Sequence, residues 1–154
     1  MASTLASGTL IVNTNEKIVL DGNDLGGTRS FTESSIRVYS RQFRNITSDV
    51  GAASDILNFK SSPSTDFEFD TDTVKYVRVT NLDDTHDMGI TVDMDVTPND
   101  SFTLRIKPGH SFIMGSPLSY FLGSQGTPDK SVEVIKACKL SGTSIDIEVV
   151  VGSA

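Results

Sequence analysis

The amino-acid sequence predicts an all-β protein, an antiparallel β-sandwich for which a jelly-roll order is one available form. Three observations carry this. Short runs of β-branched and aromatic residues alternate with polar ones at a period of two. Turn-forming residues recur about every 8–12 positions, as in sandwiches and barrels. The polar remainder is rich in Ser, Thr, Asp, Asn and Gly and poor in helix-favouring Ala, Glu and Leu runs, and no stretch keeps helical apolar spacing over three turns. At 154 residues and 37% hydrophobic content the chain fits one domain, 1–154, with residues 1–8 expected to be a flexible or subunit-contacting arm.

Taken in order, Thr9–Val12, Lys17–Leu20, Ile36–Tyr39, Ile56–Phe59 and Phe67–Phe69 each suit a short strand, with Gly22–Gly27 separating the second from the third. Val74–Thr80 is β-rich but breaks strict alternation, as a bulge or a strand buried on both faces would require. It leads into the loop Asn81–Asp87. Ile90, Val92, Met94 and Val96 then alternate with Thr91, Asp93, Asp95 and Thr97, giving one core face and one acidic face. Pro98–Ser101 supplies turn chemistry, and Phe102, Leu104 and Ile106 return in alternation with Thr103, Arg105 and Lys107. A hairpin follows, and Asp93 or Asp95 is expected across from Arg105 or Lys107. Lys107-Pro-Gly-His110 is the next turn, because Pro presets its first corner and Gly accepts the positive φ of its second. A strand through Phe112 to Met114 comes next. The last strand sets Ile145, Ile147, Val149 and Val151 against Asp146 and Glu148, ahead of a polar tail, Gly152–Ala154.

The chain carries 13 basic and 20 acidic residues, a formal charge of −7. Residues 1–60 balance six against six, so the whole excess lies in 61–154. An acidic surface repels phosphate backbones, and no basic stripe with interleaved aromatics is present, so no nucleic-acid partner is expected. No run of about 18 apolar residues occurs and the N-terminus lacks a basic, apolar leader, so a soluble chain made in the cytoplasm and no membrane partner are expected.

Cys138 is the sole cysteine and sits in the apolar-flanked run Val132–Cys138, which reads as a buried, inert thiol. Asp83, Asp84, His86 and Asp87, with Asp70 and Asp72 nearby, form the densest group of potential ligands. They lack the spacing of a calcium loop, and an Asp-rich turn explains the same residues and is the favoured reading. His86 and His110 match no zinc spacing. No Gly-x-Ser-x-Gly elbow, phosphate loop, dinucleotide fingerprint or His-Glu-x-x-His is present. The expectation is therefore a chain that is not an enzyme and has no catalytic, metal or cofactor site. For sugar binding, which favours exposed aromatic platforms, the chain has no Trp and three Tyr, Tyr39, Tyr76 and Tyr120. Tyr120-Phe121 is the one candidate platform, set against core or subunit-contact filling.

Two stretches carry a resemblance. Met1–Val12 with Lys17–Gly22, and Val74–His86 with Met88–Val92 and Leu104–Gly109, resemble small virion structural proteins of tailed bacteriophages, especially those of cyanobacteria and other aquatic hosts. The resemblance implies a β-sandwich subunit of the virion that decorates, cements or extends the head or tail, with no shared catalytic residues. Its implied partners are copies of itself, expected as a homotrimer, and the major capsid protein or other virion proteins. Decoration or cementing of the capsid is the first expectation. A receptor- or glycan-binding module of a tail or fibre is the alternative, and a calcium-dependent binding domain a weaker one. Arg29, Arg37, Arg41 and Arg44 in the near-neutral first third are suited to an acidic neighbour or to a solvated strand face.

Overall fold

The computed structural model describes residues 7–94, 101–117 and 131–154. Its strands are β1 (Gly8–Glu16), β2 (Val19–Leu20), β3 (Asn23–Asp24), β4 (Gly27–Ile36), β5 (Val38–Ile46), β6 (Ser54–Lys60), β7 (Glu68–Asp70), β8 (Val74–Asn81), β9 (Met88–Met94), β10 (Ser101–Ile106), β11 (Ser111–Met114), β12 (Val132–Lys139) and β13 (Ile145–Ser153). A single 3-10 turn, Val50–Ala52, joins β5 to β6.

Two sheets form the body, in the orders β10-β9-β12-β6-β7 and β11-β8-β13-β5. Setting aside the three-residue edge strand β7, the eight strands β5, β6 and β8 to β13 stand, counted along the chain, as 1-8-3-6 in one sheet and 2-7-4-5 in the other. That is the jelly-roll order, two Greek keys folded over one core. Every pairing is antiparallel except β6 with β7, which is parallel because Ser61–Phe67 carries the chain back before it re-enters the edge. The core between the sheets holds Ile56, Leu57, Val77, Val79, Ile90, Val92, Ile135, Ile145, Ile147 and Val149, each 1% exposed or less. Burying each such side chain contributes about 1.5–3 kcal/mol.

Departures from strict alternation have local causes. In β6, Asp55 and Leu57 stand opposite Lys136 and Ile135, so Ile56 is an extra residue and both it and Leu57 turn inward. In β8 a register shift at Lys75 and burial on both faces occur together, which accounts for the broken pattern of Val74–Thr80. The polar tail expected at Gly152–Ala154 is part of the sheet: Gly152 and Ser153 complete β13 and the Ala154 amide donates to the Thr73 carbonyl at 2.8 Å. Ile36–Tyr39 is not one strand: the chain turns at Arg37, ending β4 and starting β5.

The β9–β10 hairpin forms with Val92 opposite Phe102 and Ile90 opposite Leu104, and the Lys107–His110 turn closes with Gly109 at φ 72°. Among the described residues, the charge pairing expected for Asp93 across that hairpin does not occur. Asp93 faces Ser101 and instead binds Lys136 of β12 at 2.6 Å, while Arg105 reaches Asp87 at 3.6 Å. The register decides this, since it sets Arg105 opposite Gly89. Asp95, Val96 and the Pro98 turn lie outside the described residues.

Gly89 is required by a close approach. A Cβ there would stand 2.7 Å from Cys138 Sγ and 3.2 Å from Leu140 Cδ2. Gly89→Ala should cost about 2 kcal/mol by overpacking, and Gly89→Ala with Cys138→Ala should recover most of it. Urea unfolding of the single and double variants measures both. No recovery would place the strain elsewhere.

Candidate functional site

Residues 8–36 leave the sandwich as one long hairpin. β1 pairs with β4 from Gly8 opposite Ile36 to Glu16 opposite Gly27, and β2 pairs with β3 beyond it. The tip is a two-residue turn in which Asp21 (φ 50°) and Gly22 (φ 82°) both take positive φ, the primed geometry that matches strand twist. From Gly8 to the tip the ribbon spans roughly 40 Å at strand rise. Residues 8–36 thus form an arm of their own, while the arm anticipated at residues 1–8 falls almost wholly on residues 1–6, outside the described part.

The base of this arm packs on the sandwich. Ile36 is buried, and Leu10 and Ile36 lie against Gly152, at 3.5 and 3.7 Å from where a Cβ on that glycine would stand. Farther out, Val12, Thr14, Arg29 and Phe31 share a groove of about 350 Å³ with Tyr76 of β8 and with Ile113, Met114 and Gly115 around β11. The opposite ribbon face is polar apart from the exposed Ile11, with Thr28 and Ser30 hydroxyls donating to Asn15 and Asn13 at 2.7 Å. Beyond the groove the tip presents Ile18, Val19, Leu20 and Leu25 at 53–61% exposure. A two-stranded ribbon is marginal in water by itself, and four neighbouring aliphatics at its end add apolar surface that only another surface can remove.

The outer face of the four-stranded sheet is the second unusual surface. Its rows run Tyr39, Gly152, Tyr76; then Arg41, Val150, Arg78, Ile113; then Phe43, Glu148, Thr80, Ser111, read from β5 to β11. Glu148 is 5% exposed although it faces outward. Arg41 Nε donates to its Oε1 and a terminal nitrogen of Arg78 to its Oε2, each at 2.5 Å. Arg78 Nε is buried with no hydrogen-bond partner. Around this ion cluster stand Tyr39, Phe43 and Ile113, all half or more exposed, with the Arg41 guanidinium 5.0 Å from the Phe43 ring centre. Tyr76 is buried beneath the arm, and burial raises its phenol pKa. Asn45 donates to Asp146 at 2.7 Å at the far end of the β5 row.

The other arginines of the first third have distinct places. Arg44 points to the edge between the sheets, over the Phe67 ring at 3.9 Å and toward the Asp55 carbonyl, where burial lowers its pKa. Arg29 lines the arm groove, and Arg37 is exposed at the β4–β5 corner, where its amide donates to the Ser153 carbonyl.

The acidic loop is an internally bonded turn. Asp83 accepts from the amides of Thr85 (2.8 Å) and His86 (2.7 Å) and lies 3.1 Å from His86 Nδ1, and these amide bonds hold its carboxyl down at about 2. Asp87 turns to Arg105, while Asp70 accepts from the Asp72 amide. His110 Nδ1 meets the Pro108 carbonyl instead of approaching His86. Among the described residues no group of three or more His, Cys, Asp or Glu side chains stands close enough to hold a metal ion. Cys138 is buried against Gly89, and burial raises its thiol pKa. Tyr120 and Phe121 lie outside the described residues.

Glu68 is a second depressed carboxyl, held at about 2 chiefly by Lys60 and then by the Ser64 amide and hydroxyl. With ordinary unfolded values near 4 and folded values near 2, both groups contribute stability that is complete above about pH 5 and lost as pH falls through 4 towards 2. Melting temperature measured from pH 6 to 2.5 should fall less steeply in Asp83→Asn and Glu68→Gln than in the wild type. Equal slopes would contradict the assignment.

No family model and no curated protein matches this sequence. The functional reading therefore rests on the residues, the resemblance they carry and the two surfaces just described.

Proposed function

We propose that this chain is a non-enzymatic structural component of a tailed-phage virion that decorates or cements the capsid, through contacts with copies of itself and with the shell. The single observation that supports this most is the arm: a long ribbon with an aliphatic tip, projecting from a rigid sandwich, is a device for joining subunits and has no use in an isolated domain. The jelly roll adds support by analogy only, because it recurs in viral capsid and lectin domains and a fold does not fix a function. The chain's resemblance to phage structural proteins supplies the particle. The test is direct. Mass spectrometry of purified virions should contain the chain at a stoichiometry tied to the major capsid protein, and an image reconstruction should place it on the head. Absence from purified virions would sink the proposal, and density on the tail would move the subunit there.

A second reading has its own observation. Tyr39 and Phe43 stand exposed on β5 beside Arg41, Asn45 and Asp146, an aromatic row with polar neighbours of the kind sugars stack against. This would make the chain a receptor- or glycan-binding module of a tail or fibre. A glycan-array signal abolished by Tyr39→Ala would favour it over capsid decoration.

A further inference from the structure

We infer that the arm tip of one copy docks on the outer face of the four-stranded sheet of a second copy, in a head-to-tail contact that leaves each subunit both donating an arm and receiving one. The inference rests on the proposed structural role but concerns a contact that the purified chain can make alone.

Geometry excludes the chain's own face as the receiver. The arm starts over Gly152 of β13 and passes the groove shared with Tyr76 of β8 and Ile113 and Met114 of β11, so it runs away from β5. The exposed row Tyr39, Arg41, Phe43 lies three strands from β11, roughly 14 Å at ordinary strand spacing, in the opposite direction. A tip that cannot fold back must find its cover on another molecule.

Chemistry selects that molecule. Around its aliphatics the tip carries Glu16, Asp21 and Asp24 against the single cation Lys17. Around its aromatics the face carries Arg41 and Arg78, with Glu148 buried among them, the exposed Arg37 at the adjoining β4–β5 corner, and Asp146 engaged by Asn45 at the far end. An apolar, acidic tip thus meets an apolar, basic face, and both belong to one chain. A contact between two different patches of identical subunits is heterologous, so it generates a ring when the rotation closes. An expected trimer is one such closure.

The test uses the full chain and two variants at exposed positions, Leu20→Asp on the tip and Phe43→Asp on the face. Sedimentation equilibrium of the wild type should show self-association, and each variant alone should weaken it about thirtyfold or more, as loss of an interface anchor does. Mixing the two variants should restore heterodimers, because the intact arm of Phe43→Asp fits the intact face of Leu20→Asp. Circular dichroism of each variant should match the wild type, which separates lost contact from lost fold. A wild-type chain that stays monomeric at high concentration would overturn the inference, as would a mixture that fails to rescue, the signature of arm-to-arm pairing. A monomeric chain nonetheless found in virions would remove this contact and leave the structural role standing.

Discussion

Asn81→Ala is expected to destabilise the protein by about 3 kcal/mol, well above the cost of an ordinary surface change, because one fully buried residue takes part in five hydrogen bonds, three of them through its side chain. Its backbone amide donates to the His110 carbonyl at 3.0 Å and its carbonyl accepts from the Gly109 amide at 2.9 Å. Its side-chain nitrogen donates to the carbonyls of His86 (2.8 Å) and Ile106 (3.1 Å), and its side-chain oxygen accepts from the Asp83 amide at 3.0 Å. Alanine keeps the backbone pair and strips the other three, stranding the Ile106 carbonyl in the interior. Asn81→Asp should be worse still at neutral pH, since an anion would replace the donor facing two carbonyls. Chemical unfolding at pH 7 measures both variants. A loss under about 1 kcal/mol for Asn81→Ala would mean that water takes over the stranded groups.

Asn81 also marks where sequence reasoning stops. As a letter it reads as the first residue of a polar loop, and nothing in its neighbours says that it will be the point at which two loops, 82–87 and 107–110, are tied together. The register of β8 against β11 and β13 decides that, and register is a property of the assembled sheet. The alternating runs at 90–94, 102–106 and 145–151 were legible because their periodicity is local. Even there, periodicity does not say whether an outward acid of β13 is solvated or covered. Glu148 is buried because β13 is central in its sheet, with two arginines from its neighbours closing over it.

The arm was legible only in part. Thr9–Val12 and Lys17–Leu20 were recognisable as strands, but the Asp21-Gly22 pair between apolar runs is a strong short-range hairpin signal that would have joined Lys17–Leu20 to its return strand. That the ribbon stands away from the body could not be read, because exposure of Ile18 or Leu25 depends on what fails to cover them. The outer sheet face was equally hidden. Tyr39, Arg41 and Phe43 alternate with Ser40, Gln42 and Arg44, and a strand with aromatics on one side is ordinarily read with those aromatics inward. Here the aromatic side faces out. The edge position of β5, with Gln42 and Arg44 turned to the Asp66 carbonyl and the Phe67 ring, reverses the usual assignment.

Glu148→Ala is expected to cost about 3 kcal/mol, and the reason lies in the asymmetry of the three charges. The carboxylate is nearly inaccessible, whereas Arg41 is more than half exposed and Arg78 about one third. Removing the anion leaves Arg78 with its buried Nε still unpaired and its terminal nitrogen newly so, a half-sequestered cation with nothing opposite. Arg41→Ala should cost well under half as much, because water replaces much of what an exposed guanidinium loses and Arg78 still neutralises Glu148. Arg78→Ala should fall between the two, since it removes the better-buried partner. Replacing Arg78 and Glu148 together by Met and Leu, which fills the same space without charge, should recover stability towards the wild type. Urea midpoints for the set at pH 7 decide the order. Equal losses for Arg41→Ala and Glu148→Ala would show that the cluster behaves as a solvated surface pair, and the row that holds Phe43 outward beside Arg41 would then owe its form to backbone pairing with β13 alone.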